Sequence, residues 1–187
     1  MITPVHTSSE PSLWVSKCAK LLRPNSKVLD LACGSGRHAR YLADRGHLVT
    51  AVDKDAESLA QFANFSGIHV VEFDLERGEW PFPEEKFDGI VVTNYLHRPI
   101  ISHIVNGLSD SGILIYETFM IGNERVGRPS NPDFLLRAHE LIDAVREKLQ
   151  VVMYEAGPVS LPKPAYIQRV CAVSLDYQFS EKCLPDK

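Results

Sequence analysis

VLDLACGSGRHARYLADRG, from Val28 to Gly46, decides the fold. Val28-Leu29-Asp30-Leu31 has the pattern of a buried strand, and Ala32-Cys33-Gly34-Ser35-Gly36 is a sharp turn. The helix that follows carries Ala39, Leu42 and Ala43 on its apolar side at i, i+3, i+4 and stops at Gly46. Together these make a site of the nucleotide-binding type. Glycine lets the backbone approach a ligand, and the first turn of a helix presents N–H groups without intrahelical partners. Ala32, Cys33, Gly34 and Gly36 are therefore expected to line that ligand.

A G-x-G turn opening a helix also serves dinucleotide enzymes. Asp30, four residues before Gly34, discriminates. In a dinucleotide site the diphosphate rests on this turn, and a further carboxylate would repel it. S-adenosylmethionine (SAM) has no phosphate; it carries an ammonium and a sulfonium, which an acid at the end of the first strand suits. D-L-A-C-G-S-G resembles motif I of the class I SAM-dependent methyltransferases. The longer pattern C-G-S-G-R-H-A-R-Y-L-A, then V-D-K, then F-D-L, is similar to the small bacterial tellurite-resistance-type (TehB-like) methyltransferases.

The chain of 187 residues is long enough for one α/β domain and leaves little room for the second domain a dehydrogenase would need. It is expected to be a single domain over 1–187: an N-terminal helix over 9–22, a core over 27–175 and a tail over 176–187. No apolar run reaches the length of a membrane span, and MITPVHTSSEP lacks the layout of a signal peptide. Cys18, Cys33, Cys171 and Cys183 are scattered without a C-x-x-C pair, so reduced thiols in a cytoplasm are expected and a metal site is not. The net charge of −4 and the lack of a Lys/Arg cluster disfavour nucleic acid as a partner.

Ser8 or Ser9 can cap the first helix, with Trp14, Cys18, Leu21 and Leu22 on one side. Beyond Gly46 the pattern predicts strands over 47–52, 68–73, 87–93 and 113–117, with helices over 55–64 and from Pro99. A helical region over 132–149, broken near Ala138, precedes two closing strands over 150–157 and 166–175. The prediction is a Rossmann-like, doubly wound, mostly parallel seven-stranded sheet with a C-terminal antiparallel hairpin. Ligands of such sheets bind beyond the carboxyl ends of the strands, where Asp30, Asp53, Asp74, Asn94 and Glu117 all fall.

Asp53 ends the second strand, 17 residues after Gly36, where an acid can accept from both ribose hydroxyls. Lys54 beside it either covers the adenine edge with its stem or is solvated. The resemblance implies that Asp74 meets the adenine amino group and that the Leu75 N–H meets a ring nitrogen. It also implies that Asn94 and Tyr95, in V-V-T-N-Y-L-H-R-P, face the methionine part and the methyl. This is not the Asn/Asp-Pro-Pro-Tyr motif of amino-group methylation on adenine or glutamine. Trp80 or Phe82 can flank the adenine or anchor the loop.

The expected activity is methyl transfer from SAM to a small-molecule acceptor by in-line displacement, with S-adenosylhomocysteine (SAH) as product. The alternatives are a nicotinamide oxidoreductase and a non-catalytic SAM-binding module. No catalytic residue is required; His97 is a candidate base, with a loop-orienting role as the competing assignment. Trp14, His97, Arg98, Glu117, Arg125 and Arg128 are placed on the acceptor side. The long segment from Thr118 to Asp133 is expected to border the acceptor, with Gly122 and Gly127 as hinges and its arginines suited to an anion.

Overall fold

The structure, a computed structural model, describes residues 10–179. Seven strands form one sheet: β1 (Lys27–Leu31), β2 (Leu48–Asp53), β3 (Ile68–Glu72), β4 (Phe87–Thr93), β5 (Leu108–Phe119), β6 (Leu149–Val159) and β7 (Ala165–Ser174). Their order is β3-β2-β1-β4-β5-β7-β6. The first five run parallel, and β7 is inserted antiparallel between β5 and β6. Strand order reverses between β1 and β4, which opens a crevice above their carboxyl ends.

Side-chain alternation divides the sheet into two faces. Val28, Val91, Ile113, Ile115 and Cys171 pack under α1 (Leu13–Cys18), α2 (Arg37–Ala43) and α3 (Ala56–Ala60). Leu29, Leu31, Ile90, Val92, Leu114 and Val170 pack under α4 (Ile101–Asn106) and α5 (Glu140–Val145). The central strands read as nearly continuous apolar runs because both faces are covered.

Several boundaries differ from the sequence expectation. The first helix is only Leu13–Cys18, continued by a 3₁₀ turn over Ala19–Leu21. Its cap is Ser12, whose hydroxyl accepts from the Val15 N–H at 3.1 Å; Ser8 and Ser9 lie outside the described residues. β5 starts at Leu108 rather than Ile113. Phe87 pairs with Leu108 and Gly89 with Ile113, so the polar stretch between is a bulge inside the strand, not a turn before it. Gly112 permits this bulge, because a Cβ there would lie 2.8 Å from that of Leu108.

The region 132–149 is not one helix. A 3₁₀ turn (Pro132–Phe134) leads into Leu136, which bridges Met120, and α5 starts only after His139 at φ 62°. Here Arg98 takes the carbonyls of Asp133 and Leu135, which a continuous helix would need. The tail is anchored where it is described: Tyr177 is buried and donates its hydroxyl to the Leu21 carbonyl at 2.6 Å.

Candidate functional site

The turn after β1 is held open by backbone geometry. Ala32, Gly34 and Gly36 all have positive φ, at 50°, 53° and 72°. Gly36 could carry no side chain: a Cβ would sit 2.6 Å from the Phe62 ring. At Gly34 the space beyond is open, so backbone lies bare to the crevice. Cys33 ties the turn to β2 by donating its N–H to the Val52 carbonyl at 3.0 Å, and burial pushes its thiol pKa up. Asn94, at φ 55° just beyond β4, is a second strained non-glycine position on the neighbouring strand end. Such conformations cost about 1–3 kcal/mol each and cluster at ligand sites.

Asp30 is 1% exposed, and neither carboxylate oxygen has a hydrogen-bond partner among the described residues. Burial pushes its pKa up to about 7, and the nearby Asp53 charge adds to this. The Ala39 backbone and the Arg37 charge oppose it. Asp53 turns toward the glycine turn: one oxygen accepts from the Gly34 N–H at 2.7 Å and the other from the Asp55 N–H at 3.0 Å. Each oxygen keeps a lone pair for a ligand hydroxyl. Lys54 is exposed.

Asp74 accepts from the Glu76 N–H at 3.0 Å, and Leu75 beside it is buried. Tyr95 is half-buried, its hydroxyl has no partner among the described residues, and its backbone carbonyl accepts from the Tyr116 hydroxyl. Burial raises the Tyr95 pKa, helped by the charges of Glu76, Asp74 and Asp53, so its ring belongs to the same acidic edge.

On the α1/α2 face a polar row crosses the sheet. Thr93 pairs with Glu117, Glu117 with Arg169, and Arg169 with Glu155. Alternation puts Thr93, Glu117 and Arg169 on the same face as Asp30. Arg169 donates to Glu117 at 3.1 Å and to Glu155 at 3.0 Å, and its guanidinium lies 4.9 Å from the Trp14 ring centroid. Trp14 is 2% exposed, and its indole N–H has no partner among the described residues. It belongs to the buried core on this face and is not an exposed flap.

His38 lies behind this row, and sequence reasoning passed over it. It is 1% exposed in the first turn of α2 and sits between Ser12 and Thr93. Its position four residues before Leu42, on the apolar side of the helix, was the available signal. Arg169 was missed because its partners come from three distant elements.

His97 lines a groove of about 850 Å³ with Leu75, Trp80, Phe82, Ile100 and His103, beside α4. Trp80 stacks on His103 and donates its indole N–H to the Phe82 carbonyl, so both aromatics anchor that loop. Arg98 is engaged within the fold: Glu140 at 2.6 and 3.0 Å and the carbonyls of Asp133 and Leu135 take four of its five N–H groups. Arg125 is 78% exposed beside Glu124, and Arg128 is exposed.

Gly122 is not a hinge. A Cβ there would touch the Tyr166 ring at 2.9 Å, and the adjacent Asn123 is buried, bonded to Tyr166 N–H and the Pro129 carbonyl. Gly127 has open space around it.

Residues 28–110 match a family described as a methyltransferase domain. An uncharacterized methyltransferase of Bacillus subtilis, YodH, is 32% identical over 100 residues, which is 49% of this chain and 42% of that protein. The crystal structure of TehB from Haemophilus influenzae superimposes with a TM-score of 0.72 at 23% identity, covering 86% of this chain and 61% of that one. A TehB-like SAM-dependent methyltransferase from Corynebacterium glutamicum gives a TM-score of 0.63 at 19% identity, covering 86% and 87%. The fold is that of the SAM-dependent methyltransferases. The chain spans less than half the length of that curated relative, and the family match ends at residue 110, before most of β5 and before β6 and β7.

The cofactor of this fold is SAM, and the residues present suit it. A buried carboxylate without a partner is costly, and an ammonium is the group that would relieve it. A nicotinamide dinucleotide brings a diphosphate to the same turn and would meet Asp30 as a repulsive charge. Among the described residues no helix is long and apolar enough to cross a membrane.

Proposed function

We propose that this chain, acting as one domain in the cytoplasm, transfers a methyl group from SAM to a small-molecule acceptor by in-line displacement. The observation that carries the proposal is Asp30: a buried carboxylate with no side-chain partner among the described residues, at the strand-order reversal, beside a glycine turn. In this reading Asp30 holds the cofactor ammonium, Asp53 the ribose hydroxyls, and Asp74 with the Leu75 N–H the adenine edge. Ala32, Cys33, Gly34 and Gly36 let the backbone close on the ligand, and Asn94 and Tyr95 border its methionine part. Lys54 is free to lie along the adenine.

When bound, SAM supplies a methyl already activated by a positively charged sulfur. The chain's own contribution is position and dryness. Thr93 and Glu117 form the floor of the acceptor side, with Trp14 as its roof. Holding the acceptor in line and away from water accounts for most of the acceleration. No side chain is required as a base for a soft nucleophile.

The test is SAH release from SAM over a panel of thiols, chalcogen oxyanions, phenols, amines and carboxylates. Turnover with at least one class supports the proposal. SAM binding without turnover in any class would favour a non-catalytic binding module instead.

A further inference from the structure

We propose that His38 is a positioning residue that pins α1 to the end of β4 and thereby links cofactor binding to the roof of the acceptor site. The inference rests on the methyl-transfer reading above and goes beyond it.

α1 has six residues, too few to hold a helix by propensity. It is fixed instead by burying Trp14, Val15 and Cys18, by the two links of Ser12, and by a long bond from the Tyr41 hydroxyl to the Ser16 carbonyl at 3.4 Å. The Ser12 hydroxyl caps the helix, and the Ser12 N–H donates to His38 Nε2 at 3.2 Å. That bond fixes the tautomer: Nε2 accepts, so Nδ1 carries the proton. Nδ1 faces Thr93 Oγ1 at 3.4 Å and donates to it, a long bond. Among the described residues no other hydrogen bond of the Thr93 hydroxyl opposes this polarity. Burial, with the Arg37 charge, pushes the His38 pKa down to about 3, so the ring stays neutral and the relay keeps its polarity at any working pH.

The placement of His38 gives this relay its meaning. It lies two residues after Gly36, in the helix that opens on the cofactor turn. It touches the cap of the roof helix on one side. On the other it touches the last residue of β4, just before strained Asn94. A ligand that orders the turn after β1 steadies α2, and through His38 it steadies α1 and Trp14.

The test is amide hydrogen exchange along α1, with SAH as the probe, in the wild type and in His38→Ala, His38→Gln and His38→Asn. SAH should slow exchange of the α1 amides at least tenfold in the wild type. His38→Ala should bind SAH within about threefold of the wild type by calorimetry, yet exchange α1 at least tenfold faster, with no further protection from SAH. Gln can still accept from the Ser12 N–H, so His38→Gln should regain the protection. Asn reaches only Thr93 and should not. A purely structural role would lower global stability without erasing the SAH-dependent protection.

The proposal is overturned if α1 in His38→Ala exchanges as in the wild type, or if SAH binds the wild type without protecting α1. Should His38→Ala fail to fold, the Gln and Asn variants and the wild-type SAH response still decide. Should SAH not bind at all, the proposed function fails, while apo α1 exchange in the variants still reports on the pin.

Discussion

Replacing Asp30 by Asn should stabilise the ligand-free protein at neutral pH while crippling its site. The carboxyl has a pKa of about 7 in the folded chain against an ordinary value of 3.8. A raised folded-state pKa means that stability is fully present below 3.8 and is lost as pH rises toward 7. At about 1.4 kcal/mol per pH unit, the ceiling on that loss is about 4 kcal/mol above neutral. Asn keeps the shape but buries an amide without partners, which costs about 1–3 kcal/mol. The expected net gain is therefore about 1–3 kcal/mol at pH 8, or roughly 2–10 °C in Tm for a chain of this size.

His38 acts in the opposite sense. Its pKa is lowered from 6.5 to about 3, so stability is lost as pH falls through that window. In the wild type the two slopes oppose each other between about pH 4 and 6.5; in Asp30→Asn only the acid-side loss should remain. SAH affinity should fall by about 3 kcal/mol, on the order of 100-fold, because a buried charge pair loses one member. Urea unfolding across pH 4.5–8.5 and calorimetry with SAH measure both effects. A variant no more stable than the wild type at pH 8 that still binds SAH normally would refute the account of Asp30.

Asp53→Ala should weaken SAM by about 1.5–3 kcal/mol, the scale of lost charge-assisted hydrogen bonds. Because Asp53 also holds the Gly34 and Asp55 N–H groups, a modest loss of stability should accompany it; unchanged affinity by calorimetry would count against its role. Gly36→Ala should lower Tm sharply through the clash with Phe62 and the positive φ, and Phe62→Leu should restore part of it; an unshifted melting curve would show the turn to be looser than described. Once an acceptor is found, Arg125→Ala with Arg128→Ala should raise its KM and leave SAM affinity intact. Unchanged acceptor kinetics would remove the segment 118–133 from the site.

The cofactor half was legible because its signals are local. A buried strand, a glycine turn and a helix stop follow one another within Val28–Gly46, and acids at successive strand ends must converge on one edge of a parallel sheet. The acceptor half was legible only in outline. Ser109-Asp110-Ser111-Gly112 has the composition of a turn, but pairing with β4 on either side makes it a bulge. The break expected near Ala138 falls at His139, but its partner was not legible: Arg98, more than thirty residues earlier, takes the carbonyls of Asp133 and Leu135. Trp14, His38, Glu117 and Arg169 come from four elements, and no local pattern announces that they meet. Their roles follow from tertiary contact, which sequence spacing does not encode.

The central claim is that the edge built on Asp30, the glycine turn and Asp53 receives SAM and not a dinucleotide. Calorimetric titration of the wild-type protein with SAH and with NADH at pH 7, in buffers of differing ionisation enthalpy, tests it directly. The account predicts micromolar-range binding of SAH, far weaker binding of NADH, and net proton release on binding SAH. Burial holds part of the Asp30 population protonated near neutral pH, and that proton leaves as the carboxylate meets the ligand ammonium, so Asp30→Asn should show no such release. NADH binding as tightly as SAH, or SAH binding tightly with no proton released from the wild type, would contradict it.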